Sequence, residues 1–198
     1  MLGGGGSPCR AFLIYPRNLS MAKKNEQSKQ QMKAQKTEQI SSAKKNLKNL
    51  KVCLVGSSGG HLTHLYMLKP TWSQMKRFWV TFNKEDANSI LEGEKVYHCY
   101  FPTNRNIKNL IKNTKLACKI LKEEKPDIII SSGAAVAVPF FWLGKLHGAK
   151  TIYIEVFDRI DKSTITGKLV YPVTDKFIVQ WEEMKKVYKK AENFGSIF

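Results

Sequence analysis

Short apolar runs separated by stretches of helical spacing organise this chain from Lys51 onward. Val52-Cys53-Leu54-Val55 is an unbroken apolar run ending at Gly56, the pattern of a strand buried on both faces that feeds a loop. Runs of the same kind lie at Arg77 to Phe82, Lys95 to Phe101, Asp127 to Ser131, Thr151 to Glu155 and Lys176 to Gln180. Between most of them the pattern turns helical. A helix is expected from about His61, and the clearest one spans Ile107 to Glu124, where Leu110, Ile111, Ala117, Ile120 and Leu121 approximate helical spacing and lysines take the other face. It ends before Pro126, which disfavours continuation. One more helix is expected after the sixth strand. Strands alternating with helices predict an α/β fold, a Rossmann-like doubly wound parallel sheet.

The first fifty residues break this pattern. Residues 1–20 hold a glycine run and a brief apolar patch, Ala11 to Tyr15, and are set aside from the fold because Met21 opens a more ordinary amino terminus. From Ala22 to Leu50 the chain is Lys, Gln, Asn and Ser with few large apolar residues, too little burial to offset the entropy of ordering. The expectation is a basic, low-complexity tail over 1–50, disordered or lying as a helix on a membrane, and one domain over 51–198.

Charge narrows the partners. The net charge is +17, from 33 Lys and Arg against 16 Asp and Glu, and the tail and the domain share the excess. Such a balance favours phosphates, on nucleic acid or on an anionic membrane surface, where each nearby cation contributes roughly 1 kcal/mol. Only five of the cations are Arg, so the bidentate forks that read bases are scarce, and no nucleic-acid motif is present. No nucleic acid is expected as partner. Cys9, Cys53, Cys99 and Cys118 lack C-x-x-C spacing, which implies a reducing compartment. The longest apolar stretch, Ala134 to Leu143, is interrupted by Pro139 and is about half a membrane span. It reads first as a core helix and second as a place for lipid.

Between the first strand and the first helix lies Gly56-Ser57-Ser58-Gly59-Gly60-His61. Glycines there let backbone N–H groups approach a ligand, and the helix start favours negative charge, so the loop has the makings of a diphosphate cradle. The bland alternative is a tight turn. G-x-G-x-x-G is absent, as is the Lys-Ser or Lys-Thr of a P-loop, which weakens dinucleotide binding and nucleotide hydrolysis. The second strand ends without an acid for a ribose hydroxyl, although Glu85 and Asp86 follow closely.

His61 could contact a diphosphate or take a proton from a hydroxyl; His64 follows one turn on, but two histidines without a third ligand are a weak metal signal, and no metal site is expected. Glu155 ends a strand whose carboxyl end belongs in the ligand crevice, so it is expected to face the acceptor and orient or deprotonate it. Asp158 and Arg159 stand near enough to tune it or to hold phosphate, and an ion pair between Glu155 and Arg159 is the structural alternative. Ser131, Ser132 and Gly133 end the fourth strand at the same crevice.

The glycine loop with His61, then Ser131-Ser132-Gly133 and Pro139, then Tyr153-Ile154-Glu155 with Arg159, resemble the family of the membrane-associated subunit of the two-component N-acetylglucosaminyltransferase of dolichol-linked oligosaccharide synthesis. Bacterial capsule and exopolysaccharide members of that family look closer still. The resemblance covers Lys51 to Phe198. It implies the N-terminal half of a GT-B glycosyltransferase, inverting and free of metal and other cofactors, that binds a polyprenyl-diphosphate sugar. A separate donor-binding subunit would bring the UDP-sugar, forming a heterodimer. His61 and Glu155 would then be catalytic, with Gly56, Ser57, Ser58, Gly59, Gly60, Ser132, Gly133 and Arg159 on the acceptor and its diphosphate. The expected place is the cytoplasmic face of a membrane, held peripherally through the basic tail and the Ala134 to Leu143 stretch. Eukaryotic members carry an amino-terminal anchor that this sequence is not read to have, which favours a bacterial-type role. A non-catalytic scaffold that recruits the active partner is the alternative.

Overall fold

The computed structural model describes residues 47–103 and 106–196. Expectations for the tail fall, up to residue 46, outside the described residues. The described chain runs β1 (Lys51–Val55), α1 (Gly60–Met67), α2 (Lys69–Trp72), β2 (Lys76–Phe82), α3 (Glu85–Ile90), β3 (Val96–Cys99), α4 (Ile107–Glu124), β4 (Ile128–Ser131), α5 (Ala137–Leu146), β5 (Lys150–Ile154), α6 (Ile165–Val170), β6 (Lys176–Val179) and β7 (Glu192–Asn193). Single 3₁₀ turns occupy Tyr171–Val173 and Glu182–Lys186. The seven strands form one sheet in the order β3-β2-β1-β4-β5-β6-β7, and every pair is parallel.

Strand β1 explains why the sheet is covered on both sides. Its alternate residues point to opposite faces: Cys53 and Val55 join the cluster holding Ala117 and Ile120 of α4 and Phe140 and Phe141 of α5. Val52 and Leu54 join the other, with Leu62 and Leu65 of α1, Trp72 of α2 and Ala87 of α3. Helices on both faces of a parallel sheet make this the doubly wound α/β arrangement that the run pattern predicts.

Helix α4 has the predicted bounds, and its ends have local causes. Asn106 caps the start by accepting a hydrogen bond from the Asn109 N–H at 3.0 Å, and Lys125 takes a left-handed φ of 46° just before Pro126. Helix α5 begins two residues before Pro139, so the proline sits in the first turn, where a missing N–H costs no helical bond; it does not interrupt the helix. Phe140 and Phe141 are buried in the core, whereas Trp142 and Leu146 stay exposed.

Two expectations need correction. The third strand stops at Cys99, short of Phe101, because buried Asn113 takes both backbone groups of Tyr100: its Oδ1 accepts from the Tyr100 N–H at 2.8 Å and its Nδ2 donates to the Tyr100 carbonyl at 2.9 Å. A side chain thus ends the ladder. After β6 the chain forms a 3₁₀ turn and the short strand β7 in place of a helix. Burial of Met184 and Tyr188 against the sheet and the β6–β7 pairing, with Lys176 bonded to Glu192, hold it there. Among the described residues no helix is long and apolar enough to cross a membrane.

Candidate active site

In a parallel sheet the loops at the carboxyl ends of the strands share one rim, and ligands bind there where the strand order reverses. Here the reversal falls at β1, which pairs with β2 on one side and β4 on the other. The loop after β1 and the loop after β4 therefore meet, and both carry signature residues.

The loop after β1 is tightly held. Gly56 is buried and donates its N–H to the Val80 carbonyl at 3.1 Å; a Cβ on it would press on Leu65 Cδ1 at 3.2 Å. Gly59 turns the chain with φ 77° and precedes α1, which has no side-chain cap and no acid in its first turn. The Gly59 N–H is taken by Asp86 Oδ2 at 2.7 Å. The next N–H groups, of Gly60, His61 and Leu62, have no intrahelical acceptor and stand at the positive end of the helix. Ser57 and Ser58 are partly exposed on the same loop.

His61 joins this loop to the one after β4. Its Nδ1 lies 3.0 Å from the Ser132 carbonyl oxygen, and the Ser132 hydroxyl donates to the His61 carbonyl at 2.8 Å. A carbonyl can only accept, so Nδ1 carries the proton and Nε2 of the neutral ring is left as an acceptor. Burial lowers the imidazole pKa below its ordinary 6.5, with the Ser132 carbonyl opposing, which keeps the ring neutral at pH 7. Gly133 makes the approach possible: its φ is 135°, and a Cβ there would lie 2.9 Å from His61 Nδ1 and closer still to Cε1. Ala134 follows with φ 69°, completing a sharp turn. The Ser131 hydroxyl bonds within the turn, accepting from the Gly133 N–H at 3.0 Å.

A cleft of about 340 Å³ opens beside this junction, lined by Gly60, His61, His64, Val156, Asp158, Arg159 and Thr164. Arg159 keeps its Nε 3.7 Å from Asp158 Oδ2 and its side chain partly exposed to the cleft. A wider hollow of about 460 Å³, lined by Lys122, Lys125 and His147 among others, lies next to Asp127 and Ala149, at the amino ends of β4 and β5. That is the wrong end of the sheet for the shared rim, so the smaller cleft is the candidate site. No group of three or more potential metal ligands exists among the described residues.

Glu155 is placed differently from expectation. It follows β5 at the rim but is 1% exposed, and it lies beneath the cleft surface. The Thr164 hydroxyl is 3.2 Å from both of its carboxylate oxygens, and the Tyr188 hydroxyl donates to Oε2 at 3.4 Å. Its backbone N–H is held by the Ile178 carbonyl at 2.9 Å. The ion pair of Arg159 is with Asp158. Burial pushes the Glu155 pKa up, with the Thr164 hydroxyl opposing. The cause of this placement is strand parity: Glu155 shares a face with buried Tyr153 and enters the same layer, against α6. Thr164 caps α6, accepting from the Gly167 N–H at 2.9 Å while giving its proton to Glu155. Gly167 has no side chain because a Cβ would strike Tyr188 Oη at 2.5 Å and Glu155 Oε2 at 2.7 Å.

The structure therefore brings His61, Gly60, Ser132, Gly133 and Arg159 to one rim and sets Glu155 behind it. Thr164, Tyr188 and the Asp86 bond were missed. Thr164 followed three residues later by a helical Gly was a readable cap signal; Tyr188 carried none.

A fold of this kind occurs in known proteins. Acinetobacter baumannii MurG superposes with a TM-score of 0.58 at 17% identity, over 68% of this chain and 42% of that chain. The UDP-N-acetylglucosamine 2-epimerase from Rickettsia bellii gives a TM-score of 0.61 at 15% identity, over 75% of this chain and 45% of that chain. The chain thus spans less than half the length of these structures, and the likeness is to the GT-B fold. The UDP-N-acetylglucosamine transferase subunit ALG14 of Debaryomyces hansenii is 27% identical over 199 residues, 83% of this chain and 83% of that protein. The Homo sapiens protein of the same name is 27% identical over 180 residues, 75% of this chain and 83% of that protein. The family described as Oligosaccharide biosynthesis protein Alg14 like matches residues 11–197, which takes in the glycine loop, the Ser132-Gly133 turn and Glu155 together, and this chain belongs to that family.

Proposed function

We propose that this chain is the acceptor-binding subunit of a two-component UDP-N-acetylglucosamine transferase that works on a polyprenyl-diphosphate sugar. The relatives' names speak of UDP-N-acetylglucosamine transfer and not of capsule or exopolysaccharide, so that donor is tested first. A second chain would supply the donor-binding domain. The observation that carries the reading is the His61–Ser132–Gly133 junction, which sets a neutral imidazole with an acceptor nitrogen beside an open helix start.

In this reading the first-turn N–H groups of α1 and the Arg159 guanidinium hold the acceptor diphosphate. The acceptor hydroxyl oxygen attacks the anomeric carbon of the donor sugar while the bond from that carbon to UDP breaks. His61 Nε2 takes the hydroxyl proton, and UDP leaves with the bonding electrons. A single displacement inverts the anomeric centre. Glu155, buried behind Thr164, positions the loop that carries Asp158 and Arg159 and does not touch the acceptor.

Membrane apposition is part of the same proposal. On α4 the exposed Ile107 and Ile111 neighbour Lys108, Lys112 and Lys115, a combination suited to an anionic surface at the cytoplasmic face.

The test is transfer from UDP-N-acetylglucosamine to a short-chain polyprenyl-diphosphate sugar by this chain, by a candidate donor-domain chain, and by both together. Transfer by the pair alone supports the reading. Full transfer by the donor-domain chain alone would leave this chain a scaffold.

A further inference from the structure

A groove of about 320 Å³ lies on the other side of the Gly133 turn from the cleft, lined by Ile107 and Leu110 of α4, Ala135, Val138 of α5 and Leu169 of α6. Its polar lining is Thr103 and Asn106, and Asn106 Oδ1 is already engaged by the Asn109 N–H as the cap of α4. Leu110 and Leu169 are 39% and 50% exposed, so the groove presents apolar side chains to solvent without a covering element among the described residues.

Two covalent bridges join this groove to the cleft. Ala135 in the groove is two residues from Gly133, which packs against His61. Leu169 in the groove and Thr164 in the cleft are the ends of one stretch on α6, five residues apart, about 7–8 Å at helical rise. A ligand with its diphosphate at the start of α1 therefore has apolar side chains within about 10 Å, the reach of two residues of chain beyond the Gly133–His61 contact. We infer that this groove is a binding site for the hydrocarbon chain of the acceptor, taking the isoprenoid units next to the diphosphate. The inference rests on the acceptor-binding reading above.

The chemistry favours a tail over a planar membrane surface as occupant. An apolar groove on the far side of one turn from an open helix start matches one molecule with a charged head and an apolar tail. Lipid acyl chains are the other source of hydrocarbon, and the test separates them. Binding of farnesyl diphosphate and of inorganic diphosphate to the full chain is measured by calorimetry in detergent-free solution, alongside co-sedimentation with anionic phospholipid vesicles. The partly exposed Leu110 and Leu169 allow Leu110→Ser and Leu169→Ser with little risk to folding, checked by thermal melting.

The wild-type chain binds farnesyl diphosphate more tightly than diphosphate, and each variant weakens the former about tenfold while leaving the latter within about twofold. Equal wild-type affinity for the two probes overturns the inference. So does a variant that loses vesicle binding but keeps farnesyl diphosphate affinity, which would make the groove a membrane contact. Tail binding that behaves as expected, in a pair that transfers no sugar, would refute the transferase reading and leave the groove standing.

Discussion

His61 Nδ1 and the Ser132 carbonyl oxygen, 71 residues apart in the chain, stand 3.0 Å apart in the fold. That one bond fixes the tautomer of the imidazole and ties the two loops of the rim together. It leaves the other ring nitrogen as a hydrogen-bond acceptor.

Replacing His61 by Asn removes the proton acceptor while keeping a side-chain donor for Ser132. In the reconstituted pair kcat falls about 10²- to 10⁴-fold, with melting temperature nearly unchanged. In the proposed mechanism the neutral ring is the active form, and burial holds its pKa below 6.5. The acid limb of the kcat/KM profile is therefore centred below pH 6.5. An acid limb centred above 6.5 would contradict the assignment.

Gly133→Ala places a methyl group against the His61 ring on a backbone at φ 135°. The strain costs on the order of 1–3 kcal/mol. Activity falls further than stability, because the ring must leave Ser132 to make room. Urea unfolding and single-turnover transfer on the same preparation separate the two effects.

Glu155→Gln tells a positioning role from a catalytic one. The amide oxygen still accepts from Thr164, so the variant keeps transfer within about threefold of wild type. Thr164→Val breaks the cap and raises the acceptor KM about tenfold with a smaller effect on kcat, and Thr164→Ser restores it. Loss of kcat by two or more orders of magnitude in the Gln variant would return Glu155 to the reacting atoms.

Glu124 binds Lys51 at 2.9 Å and Lys95 at 2.5 Å, fastening the end of α4 to the amino ends of β1 and β3. Burial pushes its carboxyl up, but bonds from Lys95, Tyr97 and Lys51 outweigh burial and hold the pKa at about 2. A carboxylate with a depressed folded pKa gives its stability in full above the ordinary 4.5 and loses it as pH falls toward 2. Glu124→Gln destabilises by about 1 kcal/mol at pH 7, modest because Lys95 is well exposed to solvent. Denaturant midpoints of variant and wild type converge as pH falls from 4.5 to 2.

Much of this was readable before folding. Apolar runs such as Val52 to Val55 are long enough to declare buried strands, and the spacing from Ile107 to Glu124 declares a helix, because these patterns answer to local periodicity. The exceptions have non-local causes. Nothing in the sequence around Tyr100 shows that Asn113, on the next helix, will take its backbone and stop β3. Nothing around Gln180 shows that the chain will return as a strand.

The sequence by itself determined the α/β fold, the glycine loop at a helix start and the presence of His61 there, since each follows from residue type and spacing within one element. Only the tertiary structure decided that His61 meets Ser132 and Gly133, because that depends on β1 lying between β2 and β4. It also decided that Glu155 sits behind the cleft. Strand position put its carboxylate at the rim, but the parity it shares with Tyr153 turned it inward, and Thr164, Gly167 and Tyr188 closed over it. A buried carboxylate is stable only where such donors are supplied, and these come from the cap of α6 and from Tyr188, neither of them part of the strand that carries Glu155.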